Sequence, residues 1–527
     1  MHSSFRHTFS LLFFAVCFFA LTSPHHPEKS QTPAAAIDEG AVRLSIVVPE
    51  SDSTSTVLSR HRIAANTDPQ NKAFINGKEV KVHASGAFVG LVDLPVGKHT
   101  AKILVQTPDG TSHAEQLFFH RKDPDSLPAA DTDPEEEDDT YDDKNFPRVA
   151  EINARRAFLN SGSGTDRLGG ARLGFLERGV RLEVIDREGS HYRVRLSETF
   201  EGWLPVRFAE LLPEGTPMPH SLTGSATVTG TEAFDMVTLS LGQRLPYIAN
   251  MHTHPNTIEI DIFGAESNTN WITHRKSADG IRSVGWEQIA TNHVRLIIHL
   301  EHENHWGFHI GYGVGTSLRI QIQRPPRIAS IARPLEGMNV ALDAGHGGSN
   351  RGALGATGVM EKDIVLAISK KLRDRLEAEG ARVFMTRDRD VNVSMTERSE
   401  MIIASNAQVL VSVHANSIGS ATNPDAIFGT SSYYRHDAFQ PLARLIHNRM
   451  LELPLGDFGL IGSFNFTLNE LTEIPNVLVE TAFISHPEDE MMLLDPDYQD
   501  RMAEKIVKGL ADFFWKYGSL SETYSSL

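Results

Sequence analysis

The spacing of apolar residues changes once along the chain, and that change decides what it can fold into. Up to about residue 326 the apolar residues alternate in short runs broken by turn residues, as half-buried strands require. From about residue 337, strand-like runs alternate with stretches whose apolar residues recur every three or four positions, the spacing of a helix face. This predicts all-β modules in front and, behind them, an α/β module with a twisted, largely parallel sheet flanked by helices. A length of 527 residues suits several domains rather than one core.

The first 23 residues read as a signal peptide. Arg6 precedes an apolar run from Leu11 to Leu21, too short to cross a bilayer as a mature helix. An uncleaved anchor is the alternative. Lipidation at Cys17 fits less well, because no small residue stands beside it and the apolar run continues past it. Cleavage would remove the only cysteine, so no stable membrane span, disulfide framework or Cys-rich zinc module is expected in an exported chain. Residues 24–38 are Pro- and Ala-rich and read as a linker.

Residues 39–121 hold at least five strand-like runs with turn signals at Asn76-Gly77 and Asp109-Gly110, which predicts a small β-sandwich. Residues 122–147 read as an acidic disordered linker. Eleven carboxylates and no base lie between Asp123 and Asp143, and they account for much of the net charge of −17. Such a balance argues against a nucleic-acid partner. Residues 148–214 again carry short strands, with Gly202-Trp203 near the end. Trp203 reads as core; the stretch resembles an SH3b-like barrel, and that resemblance implies wall binding as the other reading. Residues 215–326 carry five strand candidates and many histidines: His252, His254, His274, His293, His299, His302, His305 and His309. His252 and His254 share a strand face, but no local acid or Cys completes a metal set, so the histidines read as polar residues on the surface. Trp286 and Trp306 read as core or as sugar-binding residues. By their turn and strand patterns the three stretches resemble Ig-like, SH3b-like and AMIN-like modules. The last two imply cell-wall or envelope targeting, hence a location in the periplasm or cell envelope.

Residues 327–336 read as a linker, 337–517 as the α/β module and 518–527 as a polar tail. In the α/β module, MNVALDAGHGG, ARVFMTR, AQVLVSVHAN and IPNVLVETAF read as strands. Ile364, Ile368, Leu372 and Leu376 mark a helix from Glu361 to Glu379, stopped by Gly380. His346, His414 and Glu480 then fall at strand ends and Glu361 at a helix start. In open α/β sheets the strand carboxyl ends form the ligand crevice. His346, Glu361 and His414 make a His, Glu, His set, of the kind that holds a hydrolytic zinc and leaves one position to water. Glu480 is a fourth carboxylate, suited to acid/base work. Taken singly, each has a structural explanation, such as a helix-dipole partner for Glu361.

Five ordered motifs carry a resemblance over 337–517: Leu342-Asp343-Ala344-Gly345-His346-Gly347-Gly348; Gly358-Val359-Met360-Glu361; Thr386-Arg387 with Asp390, Arg398 and Asn406; Ser412-Val413-His414-Ala415-Asn416; and Asn476-Val477-Leu478-Val479-Glu480 followed by Phe483-Ile484-Ser485. They resemble the zinc-dependent N-acetylmuramoyl-L-alanine amidases of the amidase-3 family. The resemblance implies one Zn²⁺ held by His346, Glu361 and His414, with Glu480 as the catalytic acid/base. It further implies peptidoglycan as substrate, cut between muramic acid and L-alanine, and a possible protein activator. Asn416 and Arg387 are candidate substrate contacts. Thr481-Ala482 and His486 depart from the family pattern, where Gly and Asn are usual. The short stretch between Asn416 and Gly429 predicts no inserted plug helix. A zinc peptidase cutting within the stem peptide, or a non-catalytic wall-binding or activator protein, are the rivals.

Overall fold

In the computed structural model the described residues are 42–124, 145–164 and 168–520. The stretches read above as a signal peptide (1–23) and a linker (24–38), most of the acidic run and the end of the tail lie outside them.

Strands of residues 45–121 form a three-stranded and a five-stranded sheet. Ile63, Phe88 and Val92 of one meet Ile103, Leu117 and Phe119 of the other in a common core. The strand Arg60–Asn66 was not visible in the sequence: six of its seven residues are buried, so it shows no alternation. Residues 148–211 form a seven-stranded antiparallel sheet. Trp203 is only half-buried there, and its neighbour Leu204 fills the core. Residues 221–323 form a six-stranded and a four-stranded sheet. Their core is continuous with that of the seven-stranded module.

Two corrections concern this third module. The histidines are not uniformly surface residues: His305 is buried against the His252 carbonyl (2.9 Å), and His293 is buried against Asp261 (2.8 Å). Burial lowers the His305 pKa to about 4, so the ring is neutral. Trp306 is core, but the core of the next module. Its ring lies 5.0 Å from Phe513 and 5.7 Å from Phe514. Trp286, by contrast, is exposed.

The last module is a six-stranded sheet in the order Arg382–Met385, Asn339–Ala344, Val409–Asn416, Asn476–Phe483, Thr430–Tyr433, Asp457–Ile461. The first four strands are parallel, and Thr430–Tyr433 runs against Asn476–Phe483. The parallel central strands are buried along nearly their whole length, which is why they read as unbroken apolar runs. Helices α1 (Glu361–Ala378), α3 (Gln440–Met450) and α5 (Pro496–Tyr517) cover one face through Leu372, Ile446 and Phe514 among others. Helix α2 (Met395–Ala404) and the loop 462–474 cover the other through Ile402, Leu468 and Leu471. Gly380, at φ +86°, ends α1 in the left-handed turn that favours glycine. Helix α2 opens with a capping box between Ser394 and Glu397. Helix α4 (Pro487–Leu494) was not visible in the sequence.

The segment 327–336 is not a free linker. Ile328 and Leu335 are buried in the last module, and Arg327–Ile328 pairs with Ser519–Leu520 at the start of the tail. Partly buried ion pairs tie the second module to the loop 462–474: Arg172–Glu470 at 3.1 Å and Arg156–Glu473 at 2.9 Å. The sandwich meets the last module through Ala64, Ala87 and Val89 against Ala356. It also donates the Arg62 amide to the Ser420 carbonyl at 2.6 Å.

Truncating Trp306 to Ala should therefore destabilise the whole chain by about 3–5 kcal/mol in denaturant unfolding, as for other large buried aromatics. Burial alone would raise the Glu473 pKa, but Arg156 and His309 outweigh it and hold the carboxyl at about 2. A depressed acid stabilises above its unfolded pKa and loses that contribution as pH falls through the folded one. Glu473→Gln should accordingly reduce the loss of stability measured between about pH 4.3 and pH 2.

Candidate functional site

His346 follows the strand Asn339–Ala344 at a sharp turn, with φ +60°. A non-glycine residue in that region needs outside support. Two buried arginines supply it. Arg387 donates to the Ala344 carbonyl (2.8 Å) and the Gly345 carbonyl (2.6 Å), and Arg398 donates to the carbonyls of Ala344 (2.8 Å) and His346. Arg398 also donates to the fully buried Asp343 carboxylate at 2.6 Å, which accepts from Thr386 and Ser412 hydroxyls at 2.7 Å each. Burial by itself would raise the Asp343 pKa. The Arg398 charge and the two hydroxyls outweigh it, so the carboxyl stays below its ordinary range.

Gly345 is required by close approach: a Cβ there would lie 2.3 Å from the His414 ring. The two imidazoles meet edge to face with centroids 5.0 Å apart. Glu361, at the first turn of α1, reaches between them. Its Oε1 lies 2.9 Å from His346 Nε2 and 3.0 Å from His414 Nδ1. Backbone amides of Ala353 and Ala415 also donate to this carboxylate, at 2.9 and 3.1 Å. Burial would raise the Glu361 pKa, but the two histidines overcome it and hold the carboxyl well below the usual range. Burial lowers the His346 pKa and its bond to Glu361 raises it, with the raising effect larger.

The three side chains expected as ligands are thus brought together, with one ligand atom from each within 4.8 Å of the others. Among the described residues no other such group occurs. The donor set fits a divalent ion of the zinc kind: two imidazole nitrogens and one carboxylate. His346 Nδ1 is 3.0 Å from Asn350 Oδ1, which directs its proton away from the shared point and leaves Nε2 to face it.

Glu480 is the register partner of His414 on the neighbouring parallel strand, so its side chain emerges on the same face. It is half-buried in an otherwise buried strand. Asn416 lies two residues beyond His414 and donates to the Tyr433 hydroxyl at 3.2 Å. Arg387 is 3% exposed and its donors are engaged by backbone carbonyls. Through these carbonyls this candidate substrate contact braces the His346 turn. Between Asn416 and Gly429 the chain forms a loop with one three-residue turn, Pro424–Ala426, and no inserted helix. Sequence reasoning missed Phe466, whose ring stands edge-on to His414 at 5.9 Å; it lies in an irregular loop whose periodicity carried no signal.

The fold and site define an α/β domain with a metal-binding type of His–Glu–His group at the carboxyl rim of its sheet. The sequence family described as N-acetylmuramoyl-L-alanine amidase (Amidase_3) matches residues 340–512. An uncharacterized protein of Bacillus subtilis, YqiI, is 35% identical over 188 residues, which is 35% of this chain and 89% of that protein. The germination-specific N-acetylmuramoyl-L-alanine amidase of the same organism is 30% identical over 208 residues, 36% of this chain and 85% of its own length. The probable cell wall amidase LytH of Staphylococcus epidermidis is 30% identical over 217 residues, 41% and 71% respectively. The chain belongs to the N-acetylmuramoyl-L-alanine amidase family.

Removing the guanidinium of Arg398, as in Arg398→Met, leaves the Asp343 charge buried without its cation. Urea unfolding should show a loss of about 3–5 kcal/mol.

Proposed function

We propose that the protein is an exported peptidoglycan hydrolase that cleaves the amide between N-acetylmuramic acid and the L-alanine of the stem peptide. The observation that carries this reading is the convergence of His346, Glu361 and His414 in a domain of this family. These three residues would hold one Zn²⁺. Bound there, zinc would polarise the scissile carbonyl and lower the pKa of a water. Glu480 takes the proton from the attacking water on its carboxylate and gives it to the departing nitrogen of L-alanine. Water adds to the carbonyl carbon, the C–N bond breaks, and a carboxylic acid and an amine result. Asn350 fixes the His346 tautomer that leaves Nε2 to the ion. Asn416, at the rim beside His414, is suited to a substrate hydrogen bond.

The β modules, read as Ig-like, SH3b-like and AMIN-like, would hold the enzyme on its polymer in the periplasm or cell envelope. Among the described residues no helix is long and apolar enough to cross a membrane. A protein activator remains part of the proposal: one solved relative, the CwlD amidase of Clostridioides difficile, is a complex with the GerS lipoprotein.

Digestion of purified peptidoglycan by the full chain, followed by mass spectrometry, tests the activity. Peptides beginning at L-alanine should appear with zinc and disappear with chelator. Glu480→Gln should lower turnover by at least about 10²-fold while the protein keeps its zinc, as for loss of a general base. Fragments cut within the stem peptide would instead identify a peptidase.

A further inference from the structure

The strand Arg172–Leu176, the strand Tyr247–Thr253 and the loop 462–474 line a cleft of about 560 Å³ where three modules meet. That is the size of a small-molecule site. Phe175, Tyr247 and Phe308 give it apolar surface. Its charged groups are unevenly satisfied. Among the described residues the Arg435 guanidinium donates only to carbonyl oxygens, those of Arg172 (2.6 Å) and Ser463 (3.4 Å), and no carboxylate forms an ion pair with it. Glu470 and Glu473 are 3% and 8% exposed, and each keeps one carboxylate oxygen without a hydrogen-bond partner.

We propose that this cleft is a second binding site, for a short zwitterionic peptide. A ligand carboxylate would answer the Arg435 fork, whose paired N–H groups match its two oxygens. A ligand ammonium, with three donors, would answer the carboxylate oxygens of Glu470 and Glu473. A neutral sugar would leave the arginine charge unmet, and a phosphate would leave the second oxygen of each ion-paired carboxylate unmet. Only a ligand carrying both charges satisfies both walls. The source of such a peptide rests on the amidase reading, because that reaction releases them. The loop that lines the cleft also carries Phe466 against His414, so an occupant touches the element that packs on the metal-binding group.

Isothermal titration of the full chain with the tripeptide L-Ala-γ-D-Glu-L-Lys tests the site. One peptide should bind per chain. Arg435→Met should weaken binding about tenfold, the loss of one charge-assisted contact. Ala249→Trp, which fills the cleft from its wall, should abolish it, and His414→Ala should leave it unchanged. No heat of binding at millimolar peptide would overturn the proposal. So would affinity untouched by both cleft substitutions, or affinity lost in His414→Ala, which would put the peptide at the rim. Peptide release from peptidoglycan is measured separately. Cleft-dependent binding without release would remove the amidase reading and keep this site; release without binding would do the reverse.

Discussion

The geometry of the site depends on one buried carboxylate. Asp343 has no solvent to share its charge with, so it must be met by Arg398 and the hydroxyls of Thr386 and Ser412. Arg398, anchored in this way, supports the His346 carbonyl and keeps a non-glycine residue in the left-handed region. Only in that turn does the imidazole of His346 swing back toward Glu361. The strands on either side of Asn339–Ala344 close the pocket around Asp343, because Thr386 follows one and Ser412 lies in the other. Sheet pairing, charge burial and ligand geometry are therefore a single constraint.

The second organising fact is that the α/β module does not stand alone. Its helix α5 buries Phe513 and Phe514 against a tryptophan supplied by the third β module. Its loop 462–474 is gripped by Arg156 and Arg172 of the second. That loop places Phe466 beside His414. The front modules thus help to shape one wall of the rim. Ion pairs of this kind, partly desolvated, favour a single docking geometry more than they add net stability.

Much of the architecture was legible in the sequence. The four parallel strands, the helix from Glu361 and the positions of His346, Glu361, His414 and Glu480 follow from periodicity and ordered motifs. What escaped has a common cause. The strand Arg60–Asn66 and the inner positions of helix α4 and the loop 462–474 are buried by contacts with distant parts of the chain, so their residues carry no local alternation. The same holds for Arg387, whose motif marked it as important without saying that its donors face backbone carbonyls. His293 and His305 looked like surface residues because their partners, Asp261 and the His252 carbonyl, are remote in sequence.

By itself, the sequence determined the kinds of element, their order and the chemical types at the strand ends, since these depend on local spacing and residue identity. Only the tertiary structure decided that three ligand atoms fall within 4.8 Å, that Glu480 stands in register with His414, and that three modules line a common cleft. Those facts depend on which strands pair and which modules dock. Burial and long-range hydrogen bonding fix both, and neither leaves a period in the chain.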